Sequence, residues 1–418
     1  MRVSRLAQGV KTSPIITLAA EINERIARGE KFYNLTIGDF NSQIFPIPEL
    51  LKAEITKAYQ ENQTNYPGAK GLPVLLEAVS ELLKMKMDVQ YDTNSLLIAS
   101  GARPLIYAAY LATTDPGDKV IYPVPSWNND HYTQLSTSIP VFFETSPEQN
   151  FMPDAEDLAP LVKDARMIML CSPLNPTGTV MSKAKLESIC DLVLAENHRR
   201  SGQRPLYVVF DSIYWQLTFG EHKHYNAVQL RPAMREYSIF IDGISKSFAA
   251  TGVRLGWGFG PVDVMAKMRS IVSHMGAWAP KPEQIGTGRF LKNHAAVDEY
   301  MTHICSEIQQ RLHGFYNGFK SLKEKGFKVD AIEPQAAIYL TVQMDLKGAK
   351  TASGQVLESN AAVHRYILDE AKVGILPFSY FGTSEESNWY RLSVGTCKLE
   401  EVEEIMSNLE TALGKLSF

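Results

Sequence analysis

Cysteine is scarce in this chain, with four in 418 residues at positions 171, 190, 305 and 397. They form no Cys-x-x-Cys pair and match no metal-ligand spacing, which excludes a cysteine-built metal centre or a disulfide framework as the organising principle. Four reduced thiols in a cytoplasmic protein are the expectation. Membrane-length apolar runs are also missing. The apolar run 15–20, which follows Arg2, Arg5 and Lys11, is too short to span a bilayer. It continues into the amphipathic stretch 21–28, so the sequence predicts a helix of the mature protein rather than a signal peptide. Basic excess is absent as well. A formal net charge of -4 leaves no electrostatic footprint for nucleic acid. Neither internal repeats nor low-complexity tracts occur.

What remains is ordinary globular composition, 45% hydrophobic and 21% charged, in a chain long enough for one large and one smaller domain. Short apolar runs bounded by Pro, Gly or Asp predict strands at 95–99, 119–122, 141–144, 167–171, 206–210, 238–241 and 254–259. Helical patterns at 104–113, 186–198 and 262–274 alternate with them. Strands that are apolar throughout, separated by helices, predict an α/β fold with a mainly parallel seven-stranded sheet covered by helices on both faces. Beyond residue 292 the pattern changes to helices at 295–325, 361–372 and 399–413, with strands at 337–343 and 390–394. A smaller α+β domain is expected there. The expected division is an N-terminal segment, 1–45, packing on the small domain; a large domain, 46–300; and a small C-terminal domain, 301–418.

Open α/β sheets bind ligands beyond the carboxyl ends of their strands. Polar residues at those ends are therefore the candidates, although each alone has an ordinary turn, cap or core explanation. Lys246 lies just past a strand, where an amine can form a Schiff base with an aldehyde cofactor and later move a proton at a substrate carbon. Asp211 ends an apolar strand, where a carboxylate needs a partner such as a protonated pyridine nitrogen. Tyr214 and Asn175 can reach a phenolate oxygen on the same ring. Gly101 opens a helix, which makes the backbone N–H groups of Ala102 and Arg103 an anion site. Ser245 and Arg254 flank the lysine and suit an anionic phosphate at that same site. Trp127 can stack on an aromatic ring. Arg391, in an expected strand of the small domain, can hold a carboxylate with both arms of its guanidinium.

Taken together, Leu35-Thr36-Ile37-Gly38-Asp39, Asn65-Tyr66-Pro67-Gly68, Ser100-Gly101-Ala102-Arg103, Pro125-Ser126-Trp127, Ser172-Pro173-Leu174-Asn175-Pro176-Thr177-Gly178, Asp211-Ser212-Ile213-Tyr214, Ser245-Lys246-Ser247-Phe248 and Tyr390-Arg391-Leu392-Ser393 resemble the fold-type I aminotransferases of class I/II that use pyridoxal 5'-phosphate (PLP), including aspartate aminotransferases. The resemblance implies transfer of an amino group from an L-amino acid to a 2-oxo acid through a Lys246 Schiff base and a pyridoxamine form. It makes Lys246, Asp211 and Tyr214 catalytic. Gly101, Ala102, Arg103, Trp127, Asn175, Ser245 and Arg254 would bind the cofactor, and Gly38, Asn175 and Arg391 the substrate. It also implies a homodimer in which Tyr66 reaches the phosphate of the neighbouring subunit.

Two other readings use the same residues: a β-eliminating lyase or decarboxylase, and a non-catalytic regulatory protein on the same fold. A nicotinamide dehydrogenase is excluded, because Gly256, Gly258 and Gly260 alternate within an expected strand and do not open a helix. Ser212 and Gln335 depart from the family pattern, as does the segment Pro377-Phe378-Ser379-Tyr380. For the substrate side chain, Lys70 or Lys281 is a candidate second cation, and Phe40, Trp278, Phe378 and Tyr380 are candidate apolar contacts.

Overall fold

The computed structural model describes residues 2–10 and 12–418; Met1 and Lys11, in the basic N-terminal stretch, lie outside the described residues. Seven strands form the large sheet: β1 (Leu96–Ala99), β2 (Lys119–Val124), β3 (Ile139–Glu144), β4 (Ala165–Cys171), β5 (Tyr207–Asp211), β6 (Ser238–Gly243) and β7 (Gly256–Phe259). Their order is β1-β7-β6-β5-β4-β2-β3. All run parallel except β7, which pairs antiparallel with both β1 and β6.

Successive side chains of a strand face opposite sides of the sheet, and here both sides are covered. Ile98, Val208 and Phe240 belong to one core, shared with helices α2 (Pro73–Met87) and α4 (Lys183–Arg199). Leu97, Val209 and Ile241 belong to another, shared with α3 (Ala102–Thr113) and α5 (Val262–His274). Burial on both faces is the physical reason these strands read as unbroken apolar runs. The edge strand β3 is the exception: Val141 and Phe143 are only half-buried against the first core, and Ile139 and Phe142 are exposed.

A second sheet follows: β8 (Val329–Ala331), β9 (Tyr339–Met344), β10 (Leu376–Pro377) and β11 (Trp389–Ser393), antiparallel in the order β10-β11-β9-β8. Its core takes Ile308, Leu312, Phe315 and Phe319 from the 31-residue helix α6 (His294–Glu324) and Ile405 and Leu409 from α7 (Glu401–Leu413). The expected N-terminal helix is α1 (Pro14–Ala27), started by a proline in its first turn. It buries Leu18 and Ile22 in a cluster with Leu368 and Leu376, and Arg25 binds Asp369 at 2.6 Å. Tyr33 and Asn34 then pair in parallel with Val373 and Gly374. Residues 14–34 are thereby tied to the C-terminal part of the chain.

Element ends shift by up to three residues from expectation, and two of the differences change the local conformation. The helix expected over 361–372 is α-helical only for Asn360–Tyr366 and then widens into a π-turn, Ile367–Ala371, before Lys372 turns left-handed (φ 60°). Arg254, expected to begin a strand, sits two residues before β7 in a left-handed conformation (φ 59°). That conformation turns its side chain back toward the start of α3, and a strand conformation would not. Among the described residues no helix is long and apolar enough to cross a membrane.

Candidate active site

A cavity of about 520 Å³ opens at the carboxyl ends of β4, β5 and β6, roofed by α1 and walled by residues of the second sheet. It gathers eleven of the thirteen site residues expected from sequence: Gly38, Ala102, Arg103, Trp127, Asn175, Asp211, Tyr214, Ser245, Lys246, Arg254 and Arg391. Gly101 borders it. Tyr66 lies outside, 83% exposed, with its ring edge-on to Trp278 at 5.5 Å.

Lys246 stands on the short helix Ile244–Ser247 that follows β6 directly. Its Nζ donates to the Gly38 carbonyl at 2.5 Å. Desolvation disfavours its ammonium form and lowers the pKa to about 8, with Asp39 opposing the shift. Asp211 is the last residue of β5. Removal from water raises its pKa to about 6, against one hydrogen bond from the Ile213 N–H (3.2 Å) and the charge of Lys246. A free amine fraction near neutral pH and a carboxylate short of partners thus face the same space.

Arg391 is 2% exposed. Nη1 donates to Asn175 Oδ1 (2.9 Å) and Nη2 to the Thr36 carbonyl (2.5 Å), while Nε has no partner. The guanidinium lies 4.5 Å over the Tyr339 ring and 5.0 Å from that of Phe381. Among the described residues it has no carboxylate partner. A buried cation held only by neutral groups is costly unless an anion joins it. Its placement follows from strand register: Arg391 pairs with Thr341, and Tyr339, two residues earlier on β9, shares its face of the sheet.

At the far end of the cavity Gly101 caps α3 with φ 99°, and a Cβ there would lie 2.6 Å from Arg254 Nη2. Arg254 donates to the carbonyls of Thr251 (2.7 Å) and Ser100 (3.1 Å), again with no acidic partner among the described residues. Gly256 lets β7 meet the start of α3, since a Cβ there would lie 2.7 Å from the Gly101 carbonyl carbon. The guanidinium of Arg103 sits 5.3 Å over the ring of Trp127. Four cations line the cavity (Arg103, Lys246, Arg254, Arg391) against two carboxylates (Asp39, Asp211). The balance suits a ligand with at least two anionic groups, one at each end.

None of the candidate substrate-side residues lines this cavity. Lys70 bonds Asn94 (3.0 Å) and Lys281 bonds Asn65 (2.6 Å). Phe40 packs on Phe45, and Phe378 is buried against Phe151. Tyr380 faces a neighbouring cavity of about 290 Å³. Gln335 accepts from the Val180 N–H (2.9 Å), and Ser212 is buried at 1% exposure. Instead Ile15 and Ile16 of α1, Asp39 and Tyr339 contribute to the wall. Tyr339 Oη meets Tyr214 Oη at 2.6 Å. Tyr339 lies within an apolar run that reads as core, and only its polar tip at the end of a strand hinted otherwise.

Comparison with known proteins agrees with this geometry. The chain is 28% identical over 418 residues to a probable aspartate/prephenate aminotransferase of Rickettsia felis, covering 99% of this chain and 97% of that one. It is 29% identical over 412 residues to an aspartate aminotransferase of Bacillus sp. strain YM-2, covering 97% and 98%. Among solved structures, the aspartate aminotransferase of Thermus thermophilus with maleate superposes with a TM-score of 0.86 at 25% identity, over 99% of this chain and 100% of that one. Residues 30–409 match the model for aminotransferase class I and II, and the chain belongs to that family as an enzyme of transaminase type.

Proposed function

We propose that the cavity holds PLP on Lys246 and that the enzyme exchanges amino groups between an L-amino acid and a 2-oxo acid there. The observation that carries this reading is the half-buried Lys246 amine, with its pKa lowered to about 8, set between Asp211 and the uncompensated cation Arg391. Bound in this cavity, PLP supplies an electron sink for the electrons left at the substrate Cα.

The chain's own groups fit that cofactor. The carboxylate of Asp211 suits a protonated pyridine nitrogen, whose charge would satisfy a group otherwise short of partners. Tyr214 and the amide of Asn175 would donate to the phenolic oxygen. The N–H groups of Ala102 and Arg103 at the start of α3, the Ser245 hydroxyl and Arg254 form a cradle for the phosphate. Trp127 flanks the ring. Arg391 would take the α-carboxylate, replacing its neutral partners with a charge-assisted pair, and Gly38 lines that end through its backbone. Lys246, once released from the cofactor, holds and returns the proton at the substrate Cα.

The same reading assigns residues 46–300 to a cofactor domain, and 1–45 with 301–418 to a smaller one; one apolar core is built wholly within 46–300, while the core of the second sheet also takes Ile213, Tyr214, Leu217 and Phe219 from that span. The exposure of Tyr66 supports a homodimer in which this side chain completes the neighbouring subunit's phosphate site. Four free thiols favour cytoplasmic residence. The names of the relatives make L-aspartate and prephenate the first substrates to test.

The test is spectral. PLP-loaded protein mixed with L-aspartate and no oxo acid loses its yellow band stoichiometrically in favour of the pyridoxamine form. Release of ammonia or carbon dioxide without that product would overturn the transaminase assignment of the site.

A further inference from the structure

We infer that Tyr339 is a positioning residue that couples the carboxylate-reading guanidinium of Arg391 to the hydroxyl of Tyr214. The inference rests on the reading of Arg391 and Tyr214 given above. Tyr339 lies at the start of β9, 1% exposed, and touches both groups: its hydroxyl meets that of Tyr214 at 2.6 Å, and its ring lies under the guanidinium at 4.5 Å. Its position is fixed from behind. The loop carrying Asn175 docks on the same stretch of chain, with Ala336 N–H donating to Gly178 O (2.9 Å) and Thr341 Oγ1 to Thr177 O (2.8 Å). Gly178, at φ 71°, abuts the Tyr339 carbonyl so closely that a Cβ would not fit.

A phenol has one hydrogen to donate and two lone pairs to accept. If Tyr214 donates into the cavity, it can accept from Tyr339 at the same time, and a hydrogen-bond chain of this kind strengthens its terminal donor. The ring of Tyr339 acts separately. It supplies a π face that orients the desolvated guanidinium, while the hydroxyl tunes Tyr214. Other charged or titratable groups facing the pair are Cys171 at the end of β4, Asp39, and Lys246, whose Nζ is 6.0 Å from the Tyr214 ring centroid.

Two readouts separate the hydroxyl from the ring. The first is the pH midpoint of the visible band of PLP-loaded protein. A weaker donor at the cofactor's phenolic oxygen favours the protonated form, so Tyr339→Phe raises this midpoint by about 0.3 unit. The second is the binding of succinate to PLP-loaded protein, whose phosphate cradle is filled, measured in a calorimeter. Tyr339→Phe keeps the ring and binds succinate as wild type does, whereas Tyr339→Leu binds it roughly 5- to 30-fold more weakly.

An unmoved midpoint in Tyr339→Phe, or wild-type succinate binding in Tyr339→Leu, would overturn the coupling role. Arg391→Leu serves as the control. If succinate still binds this variant, the assignment of Arg391 fails. If binding is lost there but intact in Tyr339→Leu, only the inference about Tyr339 fails. Should the leucine variant not fold, the phenylalanine midpoint still decides.

Discussion

Asp211→Asn removes one charge from the cavity while keeping the size and one acceptor of the side chain. The carboxylate it replaces ends β5 with a single backbone hydrogen bond and has a pKa raised to about 6 by desolvation. Without a cofactor, that carboxylate is a liability near neutral pH, so the cofactor-free variant should melt no lower than wild type at pH 7. With PLP bound, the partner of a protonated nitrogen is lost. Breaking a desolvated ion pair from one side costs about 3–5 kcal/mol. At 1.36 kcal/mol per decade this is a fall of roughly 10²- to 10⁴-fold in the rate of the amino-acid half-reaction. The assay is stopped-flow absorbance of PLP-loaded protein mixed with L-aspartate, with a thermal melt of both proteins in parallel. A half-reaction within tenfold of wild type, in a folded variant, would refute the role given to Asp211. A melt far below wild type in the cofactor-free state would refute the statement that this carboxylate is under-satisfied.

The other groups give expectations of their own. Arg391→Lys keeps a positive charge but loses the planar fork; with PLP absorbance unchanged, kcat/KM for amino and oxo acids should fall by about 10²-fold, a loss in the range for truncating a desolvated pair. Lys246 is reactive as the free base, and its pKa is lowered to about 8. The rate at which cofactor-free protein captures PLP should therefore rise with pH and level off above about 8; a rise continuing to pH 10 contradicts the lowered value. Gly101→Ala forces a side chain into a conformation at φ 99° and against Arg254 Nη2. Such strain costs roughly 1–3 kcal/mol, so equilibrium dialysis should show weaker PLP binding, and unchanged affinity would remove Gly101 from the phosphate cradle. A homodimer predicts a sedimentation mass of two chains, and a single-chain mass would remove the role of Tyr66.

The sheet was legible in the sequence because burial on both faces leaves strands such as β5 and β6 apolar from end to end, with the chemistry pushed to their last residues. Lys246, Asp211 and Asn175 stand out for that reason. Residues reaching the cavity from the second sheet and the N-terminal segment carry no such mark. Tyr339 reads as core because most of its ring is core. Ile15 and Ile16 read as the apolar face of an amphipathic helix, yet they roof the cavity as well as flank the buried Leu18. Asp39 sits in a loop whose path is set by long-range pairing of Leu35 N–H with Gly374 O and Asn41 N–H with Gly395 O. Lys70 and Lys281 were candidates by charge alone; in this chain each donates to an asparagine side chain outside the cavity. Local pattern reports what a residue needs. Which distant segment supplies it is decided by the fold.

The central claim is that Lys246 carries PLP, and borohydride reduction of the loaded protein followed by peptide mass spectrometry tests it most directly. The account predicts one reduced pyridoxyl group per chain, on the peptide containing Lys246, and none in Lys246→Ala even though PLP still binds non-covalently. A pyridoxyl group fixed on another lysine, or wild-type turnover in Lys246→Ala, would contradict it.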